Sequence, residues 1–277
     1  MSVRDQKISP FIAGTWKPLE LGFADIRPPF TNIKVNAYLS DGMLRIEDLS
    51  AAKGSGNVSA KGTLNLYSES SEASRLDIKT RGATFVFPID VLKDFEAQLS
   101  SDIAVLGSGT PYLIQGEIKV DRARATREID LTNEIVALFQ RRTFNTRSIE
   151  EKPMVNLDLN VTADKSINIH NQNIKGNLSA QLELRGSDIN PVVRGQFEVN
   201  RGIFFYNREF KFARGLALFD NPVRVDPSLD MLLYSDIRSY RVYIAVTGRM
   251  SDPEIDLSVD PPTRESGAPI TKEEIFT

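Results

Sequence analysis

The sequence predicts an all-β protein, an antiparallel-rich array of repeated hairpins, on three observations. Apolar and polar residues alternate strictly over long runs, as in Val155, Leu157, Leu159 and Val161 against Asn156, Asp158, Asn160 and Thr162. A period of two sets one kind on each face of a strand. Turn residues punctuate these runs about every ten residues, and almost no helix-length crossover is available, so neighbours pair antiparallel.

Along the chain the turns read "SDG" at Ser40 to Gly42, "KGSGN" at Lys53 to Asn57, "GSGTP" at Gly107 to Pro111, "GSDINP" at Gly186 to Pro191 and "GRMSDP" at Gly248 to Pro253. Glycine supplies positive φ and proline opens the next element. Between them lie the apolar phases Ile167 and Ile169, Leu178, Ala180, Leu182 and Leu184, and Val242, Ile244 and Val246. About 14 to 18 short strands are expected, joined mostly by hairpins. The exception is "REIDLTNEIVALFQRRTF", Arg127 to Phe144, where Leu131, Ile135, Leu138 and Phe139 sit near a 3.6 spacing. That spacing fits a short amphipathic helix or an irregular surface insert, with a membrane-touching helix as the alternative. The chain thus divides into an upstream β-repeat segment (1–126), the insert (127–152) and a C-terminal β-module (153–277) within one continuous elongated structure.

A repeat runs through it. Shifting the chain by 79 residues lays Leu99 to Arg122 over Leu178 to Arg201 without a gap, and seven of the 24 positions agree, among them Gly107/Gly186, Gly116/Gly195 and Arg122/Arg201. Unrelated strands give about one or two. "IAVTGRMSDPEIDLSV" keeps the spacing of the glycine and proline in a third copy, at Gly248 and Pro253. Modules of this kind extend a sheet by burying each other's edges. Alternation leaves open whether a second sheet covers the apolar face or the sheet curls around a trough.

Composition excludes several functions. Of the 277 residues 41% are hydrophobic and 26% charged, which supports a folded body, and the net charge of -3 gives no basic footprint for nucleic acid. There is no cysteine and one histidine, His170, so disulfides and Cys–His metal sites cannot form. No stretch has the length of a membrane helix, and residues 1–20 lack the apolar core of a signal peptide. The glycines at 54–56 and 107–109 lack the phosphate-loop order. Asp226, Asp230, Asp252, Glu254 and Asp256 alternate with other residues rather than forming a calcium loop. No nucleophile elbow is present. The sequence therefore predicts no enzyme, no metal and no cofactor, and places His170 on the polar phase of its strand.

The most informative stretch is "GQFEVNRGIFFYNREFKFARGLALFDNP", Gly195 to Pro222, with six phenylalanines in 28 positions. Together with "VRVDPSLDMLLYSD" and "VYIAVTGRMSDPEIDLSVDPP" it resembles the conserved C-terminal region of the TamB family, the translocation and assembly module subunits related to AsmA-like proteins. The matching positions are Gly195, Arg201, Gly202, Phe212, Gly215, Phe219, Pro227, Leu229, Asp230, Gly248, Pro253, Ile255, Leu257 and Pro261. The match is specific over Val155 to Pro262 and weaker over Asp41 to Arg122.

The resemblance implies a curled, taco-like β-groove in the periplasm, in a protein held in the inner membrane by an N-terminal helix absent from this chain, which reads as a fragment clipped at both ends. It implies phospholipid transport between inner and outer membranes, and a part in outer-membrane protein assembly and protein secretion. The implied partners are an Omp85-family outer-membrane barrel (TamA- or BamA-type), phospholipid acyl chains and nascent outer-membrane β-barrel proteins. The candidate groove-lining residues, for lipid or client, are Val155, Leu157, Leu159, Val161, Ile167, Ile169, Leu178, Leu182, Leu184, Phe197, Val199, Ile203, Phe205, Phe210, Phe212, Leu216, Leu218, Met231, Leu233, Val242, Ile244, Val246, Ile255 and Leu257. Gly186, Pro191, Gly195, Gly202, Gly215, Gly248 and Pro253 are expected at structural turns. Residues Ile203 to Tyr206 are apolar on both phases, which predicts burial on two sides or an offer to a partner. Two other functions compete: a strand-templating module that docks a barrel without carrying lipid, and a structural β-sandwich spacer with a dry core.

Overall fold

Hairpin after hairpin, the alternating runs pair into a single sheet. The computed structural model describes residues 11–15, 21–23, 26–40, 42–65, 73–89, 92–125, 152–206, 208–221, 225–237 and 240–262. The first half holds β1 (Phe11–Thr15), β2 (Leu21–Phe23), β3 (Ile26–Ser40), β4 (Met43–Lys53), β5 (Gly56–Asn65), β6 (Ser74–Ile89), β7 (Leu92–Gly107) and β8 (Tyr112–Ala125). The second holds β9 (Val155–His170), β10 (Ile174–Ser187), β11 (Pro191–Tyr206), β12 (Arg208–Phe219), β13 (Ser228–Ile237), β14 (Tyr240–Arg249) and β15 (Asp252–Asp260). No helix occurs among the described residues. The expected helix or insert at 127–144 lies outside them.

The spatial order is β1-β3-β4 and onward in sequence to β15, with β2 beside β3. At roughly 4.8 Å per strand the sheet extends for about 60 Å. The strands are longer than expected: β6, β7, β9 and β11 each have 16 residues. Every pairing is antiparallel except β8 with β9, where Tyr112 lies beside Val155 and Ala123 beside Ile167 in parallel. A parallel pair needs a crossover of about a dozen residues or more, and the only connection long enough is the one from Ala125 to Val155. All five turn signals fall on hairpin connections.

Most strands bend where their register slips. Asp121 is the extra residue in β8 opposite Gln98 and Leu99, and Asn200 is the extra residue in β11 opposite Asn177 and Leu178. The two positions are 79 residues apart, so the repeat seen in the sequence is a repeat of bulges. The same offset relates Gly116 and Gly195, whose φ values are 145° and 117°. Each sits within its strand, and a Cβ there would run into the facing carbonyl oxygen, of Asp102 and Gln181 respectively. Only glycine fits such a close approach. Further slips occur in β4, β6, β9 and β12, and bulges coil a strand away from flatness. At one end the curl closes, because Arg27 of β3 also pairs with Val86 of β6.

Candidate functional site

Partners in register share a face, so the pairings sort every side chain. One face, here called inner, carries Val155, Leu157, Leu159, Val161, Ile167 and Ile169 from β9, opposite Leu178, Leu182 and Leu184 from β10. It continues through Phe197 and Val199 of β11 and through Phe210 and Phe212 of β12. Met231 and Leu233, Val242, Ile244 and Val246, and finally Ile255 and Leu257 complete it. The opposite, outer face presents Asp158, Glu183, Arg185, Asp230 and Asp256, tied in places by ion pairs such as Arg185–Asp158 at 2.5 Å and Arg214–Asp230 at 2.7 Å.

Four expected lining residues are on the outer face instead. The bulge at Asn200 reverses the phase of the rest of β11, so Ile203 and Phe205 point outward and Phe204 points in, opposite Phe210. Lys175 sits over the outward Phe205 ring at 5.3 Å. The slip between Phe212 and Arg214 does the same to β12, turning Leu216 and Leu218 outward. A second correction concerns the glycines. Gly186, Pro191, Gly248 and Pro253 flank hairpin turns, but Gly195, Gly202 and Gly215 lie inside β11 and β12. Gly202 and Gly215 make room on the inner face: a Cβ would come within 2.7 Å of the Phe212 ring and 2.6 Å of a Val199 methyl.

Among the described residues no second layer covers the inner face; strands touch almost exclusively their neighbours in the sheet, the exception being the curl of β3 and β4 onto β6. The face is nonetheless concave. Ala83, Ala97, Ala123, Ala163 and Ala180, inner-face residues of β6 to β10, are nearly inaccessible, with Ala83 at 0% and Ala123 at 1% exposure. Alanine is too short to cover itself, so the flanking side chains of a bent sheet must lean over it. The larger Leu182, Leu184, Phe197 and Val161 are only half-buried. The alanines sit beside the bulges, where a tight bend leaves room for nothing bigger. Sequence reading passed over all of these except Ala180, because alanine gives a weak hydrophobic signal.

The trough is filled at two places. Phe210, Leu233 and Val242 form a buried cluster with Phe204, Phe212, Met231, Ile237, Tyr240, Ile244 and Val259 packed on it. Nearer the other side of the sheet, Phe197 and Phe219 meet edge to face at 5.7 Å. At the closed end, Lys53 is fully buried, lies 4.5 Å from the Phe30 ring and 5.2 Å from the Phe85 ring, and donates to the Pro28 carbonyl. Burial pushes its ammonium pKa down. On the inner face the Thr80 and Ser101 hydroxyls hydrogen-bond to each other at 3.0 Å.

The remaining candidates resolve simply. His170 is exposed at the end of β9. Asp226 accepts hydrogen bonds from the Ser251 amide and hydroxyl, at 3.0 and 2.7 Å, and so braces the β14–β15 turn. Among the described residues no three His, Cys, Asp or Glu side chains converge on a metal-sized site, and no helix is long and apolar enough to cross a membrane. What the arrangement offers, among the described residues, is a long, one-sided apolar surface. A family model described as the TamB C-terminal domain matches residues 47–277. No curated protein matches the chain.

Proposed function

The chain belongs to the TamB C-terminal domain family, and from that membership we propose that its inner face is a periplasmic trough for phospholipid acyl chains passing between inner and outer membranes. The observation that carries this reading is the concave apolar face on which, among the described residues, no layer is packed. A 16-carbon chain shielded along its length gains on the order of 10 kcal/mol before ordering costs, at about 0.8 kcal/mol per methylene. Such a gain needs no specific polar contact, which suits a conduit that must also release its cargo. In this account the protein is tethered to the inner membrane, and its link to outer-membrane protein assembly and secretion follows from delivering lipid where barrels are built.

Photo-crosslinking tests the face directly. A photoreactive amino acid at Leu157, Leu182 or Phe197 should capture phospholipid in cells, whereas the same group at the outward Gln181 or Glu183 should not. Equal capture from both faces, or from neither, defeats the reading.

A second reading, docking of an Omp85-type barrel or a client strand by strand addition, draws support from β15. Among the described residues that strand pairs on one side only, with β14, and Ile255 upon it is 65% exposed. An unpaired edge offers backbone donors and acceptors to an incoming strand. Proline scanning along β15 should abolish co-purification with a barrel while leaving lipid capture intact; unchanged co-purification would exclude the edge.

A further inference from the structure

The strands β12 and β13 part company before they end. Their pairing stops at Lys211 with Tyr234, yet Arg208 to Phe210 stay paired with β11 and Ser235 to Ile237 stay paired with β14. A notch of about 350 Å³ opens in the gap, lined by Arg208, Glu209, Lys211, Tyr234, Ser235 and Asp236. That volume is at the small end of the range for ligand sites. The notch sits beside the β11–β12 turn and the end of β13; the register puts Glu209, Lys211, Tyr234 and Asp236 on the outer face and Arg208 and Ser235 on the inner, so it lies where the two faces meet.

Its charges are arranged unevenly. Asp236 is held by Arg241 at 2.5 Å, and the same guanidinium lies 4.6 Å from the Tyr234 ring. That hydrogen bond keeps the Asp236 carboxyl below the usual carboxylate range. Among the described residues Arg208, Lys211 and Glu209 form no ion pair, and Arg208 Nε is buried with no hydrogen-bond partner. A buried guanidinium donor without an acceptor marks a place for one. The structure thus presents an unpaired guanidinium, Arg208, and an unpaired carboxylate, Glu209, with Lys211 outside any ion pair though its charge acts on Asp236, around one small opening.

We propose that this notch binds a zwitterionic phosphoethanolamine group, its phosphate between Arg208 and Lys211 and its ammonium on Glu209. That the group belongs to a lipid rests on the trough reading: the tails would pass over the lip onto the inner face at Phe204, Ile237 and Tyr240. The same chemistry is available in free phosphoethanolamine, and calorimetry separates the sources.

Four probes are titrated into the protein: dihexanoyl-phosphatidylethanolamine below its micelle concentration, dihexanoyl-phosphatidylglycerol, a hexyl glucoside, and free phosphoethanolamine. The ethanolamine lipid should bind about tenfold or more tightly than the uncharged amphiphile, as charge-assisted hydrogen bonds require. Arg208→Gln and Lys211→Gln should erase that margin while leaving glucoside binding and thermal midpoint unchanged. Glu209→Gln should erase only the preference for ethanolamine over glycerol. If the margin persists in these variants, or the ethanolamine lipid binds no better than the glucoside, the notch is not a headgroup site although the trough stands. If no amphiphile binds at all, the trough reading fails; the notch then stands only on free phosphoethanolamine binding that the variants lose, and absence of that binding overturns it.

Discussion

Replacing Leu182 by aspartate distinguishes an open trough from a dry core by the size of the penalty. Leu182 is half-buried on the inner face, opposite Val161 and Gly195, and among the described residues no layer packs above it. Full burial of a leucine is worth about 1.5–3 kcal/mol, so losing half of it costs about 0.75–1.5 kcal/mol. Poor strand propensity adds up to about 1 kcal/mol. The new carboxylate stays in water, so the total should be roughly 2 kcal/mol. Leu233→Asp is the contrast, because Leu233 is 5% exposed within the Phe210 cluster. There an unpaired buried charge adds about 3–5 kcal/mol to the lost packing. Urea denaturation of lipid-free protein, followed by circular dichroism, measures both. Equal penalties of about 5 kcal/mol or more for the two variants would refute the reasoning, since they would mean that Leu182 is as enclosed as Leu233.

Phe210→Ala should cost about 3–5 kcal/mol, as expected for emptying a fully buried aromatic site, and denaturation midpoints will show whether it does. Gly195→Ala and Gly116→Ala should each destabilise by more than about 2 kcal/mol, because both demand a positive φ and press a methyl into a carbonyl; mild thermal shifts would mean that the bend relaxes. Deleting Asn200 removes the bulge and exchanges the faces of the following β11 residues, so cysteine labelling should find position 205 protected and position 204 open, the reverse of the parent. Lys53→Met tests the buried ammonium. A lowered folded-state pKa means that the unfolded chain binds more protons between that value and 10.5, so parent stability rises with pH across that window relative to the variant. A stability difference between parent and variant that is flat with pH would show that Lys53 keeps an ordinary pKa.

The sheet was legible in the sequence because each strand carries its signal locally. Alternation gave the strands, and Gly-Pro punctuation gave the hairpins. What stayed hidden were the events that break a period of two. Asn200 and Ala213 look like ordinary strand residues, yet the slips at those points send Ile203, Phe205, Leu216 and Leu218 outward. The repeat held one usable hint, since Asp121 and Asn200 are both polar at equivalent positions. The parallel joint between β8 and β9 was out of reach of local pattern, because strand direction is set by a connection rather than by the strands themselves. The alanines of the bend were missed for the opposite reason: their burial comes from curvature, which no side chain announces.

The central claim is that the inner face holds acyl chains. Native mass spectrometry with lipid extraction, on protein purified without detergent, measures this most directly, with Leu182→Asp/Phe197→Asp beside the parent. Phospholipid bound to the parent and missing from a still-folded double variant is the result the trough predicts. A lipid-free parent, or a folded variant that keeps its lipid, would contradict it.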